Sequence, residues 1–86
     1  MKLTVFSIFD EKAQTFSKPF FLTHKGEAIR VFSDVVNDEK SMIAKHPEDY
    51  KLYKLGSFDD VSGVMESLPM PEFINNATDF LLATTS

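Results

Sequence analysis

With 86 residues and a net charge of −4, the chain has room for one small domain with a modest core, which excludes two independent domains. Its 43% hydrophobic and 26% charged residues are typical of a folded protein, and the lack of cysteine excludes disulfides, thiolate metal sites and a cysteine nucleophile. No apolar run approaches the roughly 20 residues of a membrane span and no signal peptide is visible, so we expect a soluble, intracellular α+β domain over residues 1–86.

The first predicted strand runs from Lys2 to Phe9, because apolar residues alternate along it on both faces. This pattern is typical of a central strand that is covered on two sides. A polar turn follows, and residues 16–22 form a second extended segment. Within that segment Pro19 favours a sheet edge, since proline cannot donate a ladder hydrogen bond.

A helix is predicted after Thr23, whose side chain suits an N-cap. The apolar residues that follow it at helical spacing are Ala28, Val31, Phe32, Val35 and Val36. We expect the first four of these to be buried against a sheet and the helix to end near Asn37. The pattern makes this the best-defined helix of the chain.

A connector is predicted over residues 39–49, with one helical turn at 42–45. The turn cannot continue, because Pro47 disfavours the helical conformation of the residue before it. A strand is then predicted from Tyr50 to Phe58, where apolar and polar residues alternate again.

A hairpin turn is predicted over residues 59–63, and the returning strand over residues 64–68. Pro69 and Pro71 are expected to end this strand, because proline breaks a ladder. The acidic C-terminal segment 69–86 is predicted to form either a docking helix or a tail. The element order predicts an α+β fold, with one main helix packed on a face of a small antiparallel or mixed β-sheet.

Charge is distributed unevenly along the chain. Residues 1–54 hold all nine Lys and Arg residues, whereas residues 55–86 hold five acids and no base. Such an acidic stretch is typical of a solvated face or tail, and it can also meet a basic partner. The candidate partner-binding residues are Asp59, Asp60, Glu66, Glu72 and Asp79.

Catalytic motifs are scarce in the sequence. It contains no phosphate-binding loop, no zinc-protease motif and no serine-hydrolase elbow, and only His24 and His46 could act as acid or base near neutral pH. We expect both histidines to be surface or capping residues. The sequence therefore predicts no enzyme, no cofactor and no metal site.

Bases and aromatic residues alternate in the N-terminal third. Single-stranded nucleic acid is bound by aromatic rings that stack on bases and by cations that hold phosphates. The same aromatic residues could instead form the core of a small domain. The candidate nucleic-acid-binding residues are Lys12, Lys18, Phe20, Phe21, Lys25 and Arg30. Because adjacent strand residues point in opposite directions, one of Phe20 and Phe21 is expected to be exposed.

The run KHPEDYKLYKLGSFDD, from Lys45 to Asp60, is the most specific pattern in the chain. Together with VFSI at residues 5–8, PFF at 19–21 and the segment 26–38, it resembles the small nonstructural protein of gokushoviruses, which are single-stranded-DNA bacteriophages of the Microviridae. The resemblance spans residues 3–82. It implies a protein of the host bacterial cytoplasm that is absent from the capsid and acts in viral DNA synthesis or binds DNA.

Two functions are consistent with these features. In the first, the protein acts in viral single-stranded DNA synthesis or packaging, by weak binding of single-stranded DNA, a replication protein, or both. In the second, it is a noncatalytic acidic interaction module that does not touch DNA and binds a partner such as the phage replication initiator or a capsid protein. Nine Phe in so small a chain favour a homo-oligomer, by default a dimer joined at an edge strand or the C-terminal segment, and no membrane partner is expected.

Overall fold

The computed structural model describes residues 1–81. In chain order its elements are strands β1 (Lys2–Asp10), β2 (Thr15–Phe16) and β3 (Phe20–Leu22), helices α1 (Lys25–Val36) and α2 (Met42–Lys45), a first 3₁₀ helix (Pro47–Asp49), strands β4 (Tyr50–Asp59) and β5 (Met65–Asn76), and a last 3₁₀ helix (Ala77–Phe80). One antiparallel sheet and one main helix confirm the α+β fold. No helix within residues 1–81 has the length and apolar character needed to span a membrane.

Strand β1 lies inside the sheet, as the sequence predicts. It pairs with β2 and then β3 along one side and with β4 along the other, and β5 lies beyond β4. All of these pairings are antiparallel. Pro19 lies in the gap between β2 and β3 at the outer edge, where no ladder hydrogen bond is lost.

The core lies between the sheet and α1. Phe6 of β1, Phe32 of α1 and Leu52 of β4 are fully buried there. On the helix, Ala28 and Val36 are buried on the same side as Phe32, because residues four positions apart share one face of a helix. Around this centre pack Ile8, Phe20, Leu22, Ile29, Ile43, Tyr50, Ile74 and Phe80.

The expected burial of the helix is wrong at Val31 and holds only in part at Val35, which is half-buried. Val31 is 42% exposed, and Val36 rather than Val31 completes the buried stripe. Val31 precedes Phe32 by one residue, which turns its side chain about 100° away around the helix. The buried residues of this short helix are Ala28, Phe32 and Val36, which are four positions apart.

The start of α1 also differs from the prediction. His24 occupies the N-cap position without a side-chain cap, and Thr23 lies one residue earlier. The Glu27 carboxylate in the first turn instead accepts hydrogen bonds from the Thr23 hydroxyl and from the Thr23 backbone N–H, at 3.0 Å for the latter. The Thr23 hydroxyl bond lowers the pKa of Glu27 below its usual value. Thr23 therefore anchors the helix through Glu27.

Strand β5 does not end at the prolines, contrary to the prediction. Ser67 pairs with Gly56 and Glu72 pairs with Lys54, so residues 68–71 lie opposite the single residue Leu55. Both prolines fall in this bulge at the outer edge of the sheet, where no ladder hydrogen bond is required of them. The C-terminal segment predicted as a docking helix or tail therefore begins as a strand, and its residues 82–86 lie outside the described part of the chain.

Residue 56 must be glycine because the two long strands cross closely there. A Cβ atom at Gly56 would collide with the backbone carbonyl oxygen of Glu66 on β5. At the end of this hairpin, the Asp59 carboxylate accepts a hydrogen bond from the Val61 N–H at 2.9 Å, and Gly63 adopts φ = 77°. The predicted hairpin turn is thus confirmed, with its glycine in the left-handed region.

Candidate nucleic-acid interface

The second face of the sheet is open, although β1 was expected to be covered on both sides. The single main helix covers the Phe6 side, and within residues 1–81 no element packs on the other. The pairing registers place nine apolar side chains on this open side, which we call the aromatic face: Leu3, Val5, Phe9, Phe16, Phe21, Tyr53, Phe58, Met65 and Phe73.

Four rings form a continuous row across one end of the aromatic face, one from each strand position. The ring centroids of Phe16 and Phe9 are 4.7 Å apart, those of Phe16 and Tyr53 are 5.5 Å apart, and those of Tyr53 and Phe73 are 5.8 Å apart. We call these four residues the aromatic row. Its two ends are open to solvent, since Phe16 is 42% exposed and Phe73 is 48% exposed.

The other end of the aromatic face holds a second, smaller aromatic contact. Phe21 of β3 and Phe58 of β4 approach to 5.6 Å between ring centroids. Next to them, a recess of about 200 Å³ is lined by Val5, Leu55, Gly56, Met65, Glu66 and Ser67.

Three lysines lie around the Phe16 end of the aromatic row. Lys12 is in the turn between β1 and β2, and Lys18 lies two residues after Phe16, which ends β2. Lys51 pairs with Phe9 across the β1–β4 ladder, and its Nζ atom lies 2.9 Å from Oε2 of Glu11. Positive charge is therefore placed beside exposed rings at this end of the sheet.

The structure does not bring the six predicted nucleic-acid residues together. Phe20 packs against Phe6 in the core, with 5.9 Å between ring centroids, whereas Phe21 lies on the aromatic face and is 38% exposed. One residue of the pair is thus exposed, as expected. Lys25 and Arg30 are exposed on α1, which covers the opposite side of the sheet. Lys18 and Phe21 remain as candidates on or beside the open face, and Lys12 lies in the β1–β2 turn, where it lines a cavity together with Asp10 and Tyr50.

Tyr53 and Phe73 are not among the predicted binding residues, because they lie outside the N-terminal third. Alternation in β4 carried a usable signal, because Tyr53 follows the fully buried Leu52 and must point to the opposite face. The sequence held no such signal for Phe73, because Pro69 and Pro71 predict that the strand ends before it.

The five predicted partner-binding acids are spread along the β4–β5 side, and most contact groups of the chain itself. Oδ1 of Asp60 lies 2.7 Å from the terminal nitrogen of Met1, and Oε1 of Glu66 lies 3.2 Å from Nζ of Lys2. The hydrogen bond to Asp60 raises the pKa of the terminal amine. Asp59 lies in the hairpin turn, where hydrogen bonds from backbone N–H groups lower the pKa of its carboxyl group.

The last two of these acids lie on β5 and just after it. Glu72 pairs with Lys54 across the β4–β5 ladder. Asp79 accepts a hydrogen bond from the Asn76 N–H at 2.9 Å and caps the last 3₁₀ helix. Asp60 and Glu66 therefore each pair with a positive group of the chain, whereas Glu72 and Asp79 form no ion pair within residues 1–81.

Three side chains before β4 have the chemistry to hold a cation. Ligand atoms of His46, Glu48 and Asp49 lie within 4.8 Å of one another, on and just before the first 3₁₀ helix. The nearby cavity is also lined by Asp10, Lys12 and Tyr50, and Tyr50 packs against the core side of the sheet. Burial is the main cause that raises the pKa of Tyr50. This cluster is therefore separate from the aromatic face.

Comparison with known proteins identifies relatives among phages. The family model described as Phage ORF5 protein matches residues 3–80. The chain is similar to Protein ORF5 of Chlamydia phage 1, with 36% identity over 67 residues that cover 73% of this chain and 70% of that protein. No solved structure matches the chain.

Proposed function

Because the chain belongs to the phage ORF5 protein family, we propose that it acts in viral single-stranded DNA synthesis or packaging, as a noncatalytic protein of the host bacterial cytoplasm. Its proposed action is weak binding of single-stranded DNA on the aromatic face. The family match supports the resemblance to the small nonstructural protein of gokushoviruses, and that resemblance implies a role in viral DNA synthesis.

The observation that supports DNA binding is the exposed aromatic row. Stacking of a base on an aromatic side chain is worth about 1–3 kcal/mol and tolerates any base, because every base has a flat π-face. Phe16 and Phe73 expose enough ring surface to stack, and Tyr53 lies between them. Rings on the open face of an antiparallel sheet with helices on its other face are one arrangement that single-strand-binding domains use.

The proposed phosphate contacts are the lysines at the Phe16 end. A strand stacked along the row would bring its backbone near Lys12 and Lys18, which are exposed, and near Lys51. Lys51 already pairs with Glu11, so its charge is partly compensated. With few free cations and a net charge of −4, the proposed affinity is low and falls steeply as salt rises.

The test is a titration of a fluorescent oligothymidine with the full chain at low and at moderate salt. We expect binding at low salt, with about 0.7 units of log–log salt slope for each phosphate contact. The double variant Lys12→Gln, Lys18→Gln should weaken binding and flatten the slope. The matched double variant Lys25→Gln, Arg30→Gln removes the same charge from the helix side and should change binding less.

Two results would contradict the proposal. If the parent protein binds no oligonucleotide at low salt, the alternative of an acidic interaction module that binds a basic phage protein takes its place. If the helix-side variant loses as much affinity as the Lys12, Lys18 variant, the bound strand does not lie on the aromatic face. Replacement of Phe16 and Phe73 by Leu provides a second check, because it keeps apolar bulk while it removes stacking.

A further inference from the structure

The aromatic face exposes four large apolar side chains on one side of the sheet, since Phe16, Phe21, Met65 and Phe73 are 38–54% exposed. We propose that a second copy of this chain covers the face in the DNA-free protein, and that single-stranded DNA must displace that copy to bind. The dimer follows from the surface itself, and only the displacement step rests on the function proposed above.

The size of the face fits a dimer. Strands β1 and β4 have nine and ten residues, and with the neighbouring edge strands the sheet is four strand positions wide. At about 3.4 Å per residue and about 4.8 Å between strands, one face covers roughly 600 Å². Two copies packed face to face would then bury about 1,200 Å², which is the lower end of the range for specific, stable interfaces.

The charge on the face also fits a second copy. The chain has a net charge of −4, so two copies repel one another at most approaches. The aromatic face carries one charged side chain, Lys51, whose charge is balanced by Glu11. Near its far end, Glu66 and Asp60 are balanced by Lys2 and by the terminal amine. Two copies can therefore meet on this face with little electrostatic cost.

The edge of the sheet is a poorer site for self-association, although the sequence favoured an edge strand. The outer strand β5 is interrupted by the bulge at residues 68–71, which contains Pro69 and Pro71. Prolines and bulges in an edge strand prevent it from pairing with the edge strand of another sheet. On the other edge, β2 and β3 have only two and three residues. Face-to-face packing of the two sheets, about 10 Å apart around a two-fold axis, remains.

The experiment measures the mass of the full chain by light scattering and sedimentation between about 1 and 100 μM, with and without oligothymidine, a range in which a typical specific dimer populates both states. We expect a dimer that gives way to a complex of one chain with DNA as oligonucleotide is added. The variant Phe73→Arg places two like charges in the interface and should raise the dimer dissociation constant at least about tenfold. Circular dichroism should show its fold unchanged, because Phe73 is 48% exposed.

The control is Val31→Arg, which adds the same charge to the exposed side of α1 and should leave the dimer intact. A monomer at 100 μM would overturn the inference, as would an equal loss of dimer in both variants. DNA bound to an intact dimer would overturn the displacement step. A dimer that binds no DNA refutes the proposed function and supports the dimer, whereas DNA binding by a protein that is monomeric throughout refutes the inference alone.

Discussion

Truncation of Phe32 tests whether α1 is held to the sheet as the structure shows. Phe32 is fully buried among Phe6, Leu52 and the residues around them, and its ring meets that of Phe80 edge-on at 5.8 Å between centroids. Phe32→Ala removes the whole ring from this centre. A change of this kind costs about 3–5 kcal/mol in transfer and cavity energy, because the surroundings collapse only partly.

This cost is large relative to the stability of the whole domain. At about 0.05–0.15 kcal/mol per residue, 86 residues give a free energy of unfolding of roughly 4–13 kcal/mol. We therefore expect Phe32→Ala to be marginally folded or unfolded at 25 °C. Phe32→Leu keeps part of the side chain and should remain folded, so the decrease in its free energy of unfolding can be measured.

The assay is urea denaturation followed by circular dichroism, with the midpoint and the slope fitted together. Val31→Ala is the matched control, since Val31 lies one residue earlier on the same helix and is 42% exposed. It should change the free energy of unfolding by no more than about 0.5 kcal/mol. If Phe32→Ala lost less than about 1.5 kcal/mol, or no more than Val31→Ala, α1 would not form the core described above.

Two further predictions concern the β4–β5 hairpin. Gly56→Ala should destabilise the protein by about 1–3 kcal/mol in urea unfolding, because the new Cβ meets the Glu66 carbonyl. The control Ser57→Ala should change the free energy of unfolding little. Equal losses in the two variants would contradict the close approach of β4 and β5 at Gly56. The pKa of Asp59 is lowered in the folded state, so its carboxylate stabilises the fold above its unfolded pKa of about 3.9, and this contribution is lost as pH falls through the folded pKa. Between pH 5 and pH 2, the melting temperature should fall by a larger amount in the parent than in Asp59→Asn. If the two proteins lose the same melting temperature over this range, the hydrogen bonds to Asp59 in the turn do not stabilise the fold.

Local sequence patterns determined β1, α1, β4 and one side of the core. A period of two residues marked β1 and β4, and a spacing of four residues marked Ala28 and Phe32 as buried, because these periods follow from the backbone geometry of strands and helices. The hairpin turn was predictable for the same reason, since its acids and glycine suit a tight reversal. The resemblance in the run around β4 identified the phage family, which the comparisons confirm.

The open face was not visible in the sequence. Apolar residues on both sides of β1 indicate a strand that avoids water on two faces, but they do not say whether another element of the chain or another molecule covers the second face. The one main helix covers a single side. The aromatic row then forms because Phe9, Phe16, Tyr53 and Phe73 come from four strands whose register is fixed only by pairing.

The same limit explains the errors at the prolines and among the candidate site residues. Proline predicts the end of a strand when only the chain itself is considered, whereas an outer edge with a bulge tolerates it, and only the strand order shows that β5 is that edge. Phe20 and Phe21 have identical local chemistry, and the position of α1 alone decides which one is buried. The sequence by itself determined β1, α1, β4 and the hairpin turn, because their patterns are local. The tertiary structure decided which faces meet water, because burial depends on residues far apart in the chain.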